Sequence, residues 1–287
     1  MNSSMGVARY DESPDALHGG AKVCIPDQQG FAESQSALAR SAWLLSAAAV
    51  GGLAGWALST QFSAGRALPL MLALLAVIGG LLSTWSPCGY SSLSLLRPAG
   101  RYSLASVLRW TPTFIAHALG YALGALILGS ALGLAGGVAF GAIPLEYAAA
   151  GLAVLAIAYG VHQLGFLKMP YPQRRAQVPH DARFRFRSSV IGLLYGYALG
   201  MNYLTYVQTP MLYIVTGAAL MSGSVGSAIA IIALFNLGRC LPVAINFLPV
   251  SDQGVQAWLA RWQERAVEVD GFVLIALGSA ALALLAA

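Results

Sequence analysis

Charge is what this sequence has least of: Asp, Glu, Lys and Arg supply 9% of its 287 residues, against 57% hydrophobic ones. A soluble domain carries about 25% charged residues, so a water-soluble fold around one core is excluded and lipid is the expected solvent. Cysteine is also scarce, three in all, too few for a framework of structural disulfides. The short alternation of polar and apolar residues that builds a membrane β-barrel is missing. So are a G-x-x-x-x-G-K-[ST] phosphate loop, a soluble segment large enough to hold one, a catalytic triad and a paired carboxylate. Nucleotide-driven and hydrolytic chemistry are thereby set aside, and no cofactor or metal is called for. The first 40 residues have no apolar core, and no cleavable signal peptide is expected in them.

What is present is a series of continuous apolar runs such as ALPLMLALLAVIGGLL. At about 20 residues per crossing, the spans are placed from near Ser41, Ala67, Thr111, Glu146, Ser188, Ser224 and Gly271. The expected fold is an all-α polytopic membrane bundle of about seven helices. It comprises a flexible tail over 1–40, an added first helix over 41–60 and a six-helix domain over 67–287. Of the 16 basic residues, 14 fall in the tail and in alternate loops on one side, the richest being KMPYPQRRAQVPHDARFRFR; Arg66 stands alone opposite, and Arg239 lies inside a helix. Because cytoplasmic loops collect Lys and Arg, the N-terminus is expected in the cytoplasm and the C-terminus outside, in a bacterial inner membrane. The net charge of +5 is that same loop bias and does not imply nucleic acid; membrane lipid is the expected surface partner. VQAWLARWQERA sets Val255, Trp258, Leu259 and Trp262 on one helical face, read as a helix lying in the membrane interface.

Within GGLLSTWSPCGYSSLSLLRP, Pro87 and Cys88 interrupt the second run. Proline removes a backbone hydrogen bond, and in lipid such a break survives only where protein or a cavity lines it. Cys88 is therefore expected to face the bundle interior, as a functional thiol or as packing beside a kink. An internal near-repeat relates GLLSTWSPCGYSSLSLL, from Gly80, to GMNYLTYVQTPMLYIVT, from Gly200. Counted from the two glycines, Pro87 corresponds to Val207 and Cys88 to Gln208, with Pro210 close behind. Each patch opens a block of three helices, the pattern of an inverted repeat whose broken helices meet near the midplane.

These residues resemble a known family. WSPCGYSSLSLLRP, the basic loop, LGRCLPVAINFLP and DGFVLIALGSAALALL look like the CcdA/DsbD group of membrane thiol–disulfide transporters, over residues 67–287. The added helix and the wording around Cys88 look most like its methylamine utilization members. The resemblance implies an accessory redox or assembly protein that supports maturation of exported methylamine dehydrogenase. Its implied partners are a periplasmic thioredoxin-like protein and the disulfide-rich small subunit of that enzyme. It carries Cys88 over as the family's first thiol, but the second half has Val207 and Gln208 where the partner cysteine belongs.

The other thiol within the spans is Cys240, next to Arg239. An arginine in the hydrocarbon marks a paired or functional position by default, unless it snorkels to an interface. Two arrangements stay open: Cys88 and Cys240 as a redox pair, or Cys88 alone in a mixed disulfide with a partner protein. Pro87, Arg239, Gln208 and Pro210 are the supporting positions. His117 and His162 have no second ligand at helical spacing and are read as hydrogen-bonding side chains. Asn202, Tyr203, Thr205, Tyr206, Asn236 and Asn246 either line a solute path or join helices. A small-solute transporter that has lost the thiol relay is the alternative function.

Overall fold

The computed structural model describes residues 35–98, 102–141, 143–172 and 186–287, and among them every regular element is helical. The elements are α1 (Ala37–Ser59), α2 (Ala64–Leu82), α3 (Pro87–Leu95), α4 (Leu104–Ala139), α5 (Leu145–Gln163), α6 (Ser188–Gly200), α7 (Met211–Met221), α8 (Val225–Cys240) and α9 (Asp252–Ala286). Six helical stretches among the described residues are long and apolar enough to cross a bilayer. Where the sequence predicts the fifth span, two shorter apolar helices, α6 and α7, follow one another. Large side chains such as Leu108, Leu119, Leu126, Leu134 and Val138 of α4 stand exposed, as a surface facing acyl chains requires. The protein is a multi-pass membrane bundle. Cys24 and most of the predicted tail lie outside the described residues.

Contact pairs fix the relative directions. Gly120 faces Leu193 and Gly124 faces Gly200, so α4 and α6 run parallel; Gly129 faces Ile229 and Gly133 faces Val225, so α8 runs against α4. The start of α2 lines a cleft with Met221, Ser222 and Ser227, while Gly80 meets Gly238, which makes α2 parallel to α8. Hence α2 runs opposite to α6 and α7, as an inverted repeat requires.

The predicted first helix starts sooner than expected, at Ala37, and is locked to the last one. A Cβ on Gly51 would come 2.1 Å from the Ala276 carbonyl oxygen, and one on Gly55 would come 2.2 Å from that of Ala280. Small residues four apart let two helix backbones meet in lipid, where packing replaces the hydrophobic drive. Substituting leucine at both positions is expected to cost about 1–3 kcal/mol through overpacking and to release α1 from α9. Cysteine crosslinking between the two helices should then fail while the rest of the bundle still assembles.

The segment VQAWLARWQERA is not a separate interfacial helix. It is the first third of α9, which runs unbroken for 35 residues because no proline interrupts the stretch that joins it to the last span. Val255 and Leu259 pack on Leu93, Trp110 and Val243, and the Trp85 indole N–H donates to the Leu259 carbonyl at 3.0 Å. Val255 and Leu259 thus support the region of α3, while Trp258 and Trp262 of the same stretch remain half exposed.

Candidate functional site

The second predicted span is a helix that stops and restarts. After α2, a single 3-10 turn over Ser83–Trp85 ends at Ser86, whose backbone is extended. The Ser86 hydroxyl accepts the Gly89 N–H at 3.4 Å and caps α3. Pro87 takes the first helical position, where no N–H is needed, so it starts a helix instead of kinking one. Cys88, the next residue, is 2% exposed and belongs to a buried cluster with Tyr121 of α4, Leu199 near the end of α6 and Cys240 at the end of α8. The two thiols of the membrane region, one from each half of the chain, therefore share one apolar cluster, with Phe114 and Ala118 against it.

The second break is longer, spanning 201–210 between α6 and α7, and it lies beside the first. Val207 and Met211 pack with Leu75 and Ala76 of α2, and Trp85 lines the same small cavity as Gln208 and Thr209. Arg239 holds the upstream end of this break. It is 4% exposed, so it does not snorkel to an interface. Its Nη1 donates to the Leu199 carbonyl at 2.7 Å and to Asn202 Oδ1 at 2.8 Å. Asn202 adopts φ +57°, a conformation asparagine tolerates better than most residues, and its Nδ2 donates to Asn236 Oδ1 at 3.0 Å and Gly200 O at 3.2 Å. Asn236 Nδ2 donates in turn to Gly200 O at 2.9 Å and Tyr121 O at 3.0 Å. The last carbonyls of a helix lack partners within it, and its C-terminus favours a cation. Arg239, Asn202 and Asn236 meet both demands for α6.

Asp270, at the start of the last apolar run, holds the downstream end. It is 2% exposed, and its Oδ1 accepts the Thr209 hydroxyl at 2.5 Å while Oδ2 accepts Gln163 Nε2. Thr209 Oγ1 itself accepts the N–H of Met211, the first residue of α7, at 3.2 Å. A carboxylate thus faces the electropositive start of α7, and a guanidinium faces the electronegative end of α6. Arg239 and Asp270 each stand at the helix terminus that favours the sign of the charged side chain.

The sequence-predicted positions fall into two groups. Cys88, Cys240, Pro87 and Arg239 gather around the thiol cluster and the end of α6. Gln208 and Pro210 belong to the downstream end with Asp270, so the near-repeat partner of Cys88 lies outside the thiol cluster. Reading the sequence did not single out Asp270, Gln163 or Thr209. The available signal was an ionisable residue opening an apolar run, which is expensive in lipid. His117 Nδ1 joins α4 to the Gly192 carbonyl of α6 at 3.1 Å, whereas His162 Nδ1 accepts the Met169 N–H at 2.9 Å in the loop after its own helix. Asn246 Nδ2 donates to Leu93 O at 3.1 Å, so this asparagine, like Asn202 and Asn236, joins helices.

The chain is 69% identical over 263 residues to the methylamine utilization protein MauF of Methylobacillus flagellatus, covering 92% of this chain and 93% of that one. It is 64% identical over 284 residues to MauF of Methylophilus methylotrophus, 99% of each chain. Against MauF of Paracoccus denitrificans it is 55% identical over 275 residues, 93% of this chain and 96% of the other. No family profile matches the chain, and no solved structure does.

Proposed function

The chain belongs to the MauF family of methylamine utilization proteins, and from that premise we propose an inner-membrane protein that supports maturation of exported methylamine dehydrogenase by thiol–disulfide exchange at Cys88 and Cys240. The observation that carries this reading is the shared cluster of the two thiols between the broken helices. It supplies a second sulfur where the CcdA/DsbD-like pattern lacks one at Val207 and Gln208. The Cys88 thiolate attacks one sulfur of a disulfide in a periplasmic thioredoxin-like protein or in the small subunit of the dehydrogenase. That S–S bond breaks, a mixed disulfide forms, and the partner's other sulfur leaves as a thiol. Cys240 then attacks Cys88, the partner departs with both sulfurs reduced, and two electrons and two protons have passed to it. A cytoplasmic dithiol of the thioredoxin class restores the pair by the same two steps in reverse. Both thiols are buried, so exchange requires movement at the breaks, and Ser86, the one extended residue between two helices, is the hinge that lets α3 swing.

Deleting the gene is expected to abolish growth on methylamine but not on another carbon source, with the small subunit accumulating with wrongly paired disulfides. A small subunit with correctly paired disulfides in the deletion strain would overturn the proposal. The positive-inside bias further supports a topology with 167–187 in the cytoplasm and Ala287 in the periplasm. A reporter active only outside the cytoplasm should give signal when fused after Ala287 and none after His180; the reverse pattern would invert the topology.

A further inference from the structure

The thiol chemistry leaves Asp270 and its surroundings unused. Next to it lies a cavity of about 10 Å³ lined by Leu82, Trp85, Gln163, Gln208, Thr209, Ala266, Val267 and Asp270. That is close to the smallest volume able to hold one water molecule. Gln208 is 7% exposed, and its Nε2 has no hydrogen-bond partner. A buried amide donor left so is costly, and a water oxygen in the cavity would satisfy it. Asp270 in turn has no cation within ion-pair distance among the described residues, where the pairs are Arg97 with Asp252 and Arg265 with Glu268. The groups that face it from each packed element are uncharged: Gln163 from α5, Thr209 and Gln208 from the second break, Leu82 from α2, and the Tyr171 hydroxyl, which donates to the Val207 carbonyl at 2.7 Å. On α9 itself, Glu268 is taken by Arg265 at 2.8 Å and by Gln35.

We propose that Asp270, Gln208 and one water in this cavity form a proton-binding site that sets the state of the second break. A metal cation is disfavoured because the unpartnered atom lining the cavity is an N–H donor, which repels a cation and fits a water oxygen. In the carboxylate form Asp270 accepts from Thr209 and Gln163 and presents a negative charge to the start of α7. On taking up a proton it becomes a neutral acid, its O–H donates to Thr209 or to the water, and the electrostatic hold on α7 is lost. The site is independent of the thiol reading, since Cys88 and Cys240 lie in the other cluster.

The test is difference infrared spectroscopy of the full-length protein in lipid, titrated across pH in light and heavy water. One carboxylic-acid stretch that grows as pH falls, shifts in heavy water and disappears in Asp270→Asn is expected. Gln208→Leu, which removes the water's anchor but leaves the carboxyl group, should move that band to a different frequency and midpoint. Asp270→Glu should keep a titrating band, which separates loss of the proton site from loss of the fold. No Asp270-dependent band at any pH, or a band unchanged by Gln208→Leu, would overturn the proposal.

Discussion

Replacing Cys88 with serine should reduce methylamine-dependent growth and the yield of active methylamine dehydrogenase to background, and replacing Cys240 with serine should do the same. The equality is the informative part. If Cys88 acted alone in a mixed disulfide, Cys240→Ser would leave maturation largely intact; a resolving role makes both losses complete, since an unresolved adduct holds the partner on the protein. In the Cys240→Ser strain that adduct should be trapped on non-reducing gels after acid quenching and alkylation, and it should vanish in the double variant. Cys24→Ser should grow normally. Serine in either buried position leaves a hydroxyl in an apolar cluster, at about 1–3 kcal/mol, so alanine variants serve as the control for folding. A strain with Cys88→Ala that matures the enzyme normally would leave both sulfurs as packing and favour solute transport on the same architecture.

The second large effect is structural. Arg239→Met should destabilise the bundle by about 2–6 kcal/mol, because it strips hydrogen bonds from the Leu199 carbonyl and Asn202 Oδ1, each a buried acceptor worth about 1–3 kcal/mol when left unmet. Arg239→Lys should recover part of this, since an ammonium keeps the charge at the end of α6 but lacks the planar fork that reaches two acceptors. Thermal unfolding in lipid, followed by the accessibility of Cys88 to a thiol reagent, reads both effects. An unaltered melting point in Arg239→Met would show that the end of α6 is not held by this residue.

Several of these features could be read directly from the residues. The apolar runs predicted the crossings because lipid permits few architectures, and Ser86-Pro87 announced the first break because a proline N-terminal to an apolar run has few other uses there. The near-repeat at Gly200 located the second break, although its upstream end is formed by Asn202 in a left-handed conformation and not by Pro210. Less could be read where the signal is relational. Nothing local to Cys240 says that it joins the cluster of Cys88, because that cluster is created by α8 meeting α2 at Gly80 and Gly238 and bringing its end to Leu199. Asp270 looked like a boundary residue because the apolar run begins just after it; its meaning depends on α7 starting beside it. Nothing in the amphipathic pattern at Val255 says that Val255 and Leu259 meet Leu93 of α3 while Trp258 and Trp262 stay half exposed.

The most direct test of the redox pair is mass spectrometry of the wild-type protein from cells growing on methylamine, quenched in acid and alkylated before digestion. A Cys88–Cys240 cross-linked peptide, abolished by prior reduction and enriched when the cytoplasmic thioredoxin reductant is withdrawn, is the predicted result. Recovery of both cysteines only as alkylated thiols, under both conditions and while the dehydrogenase is being matured, would contradict the account.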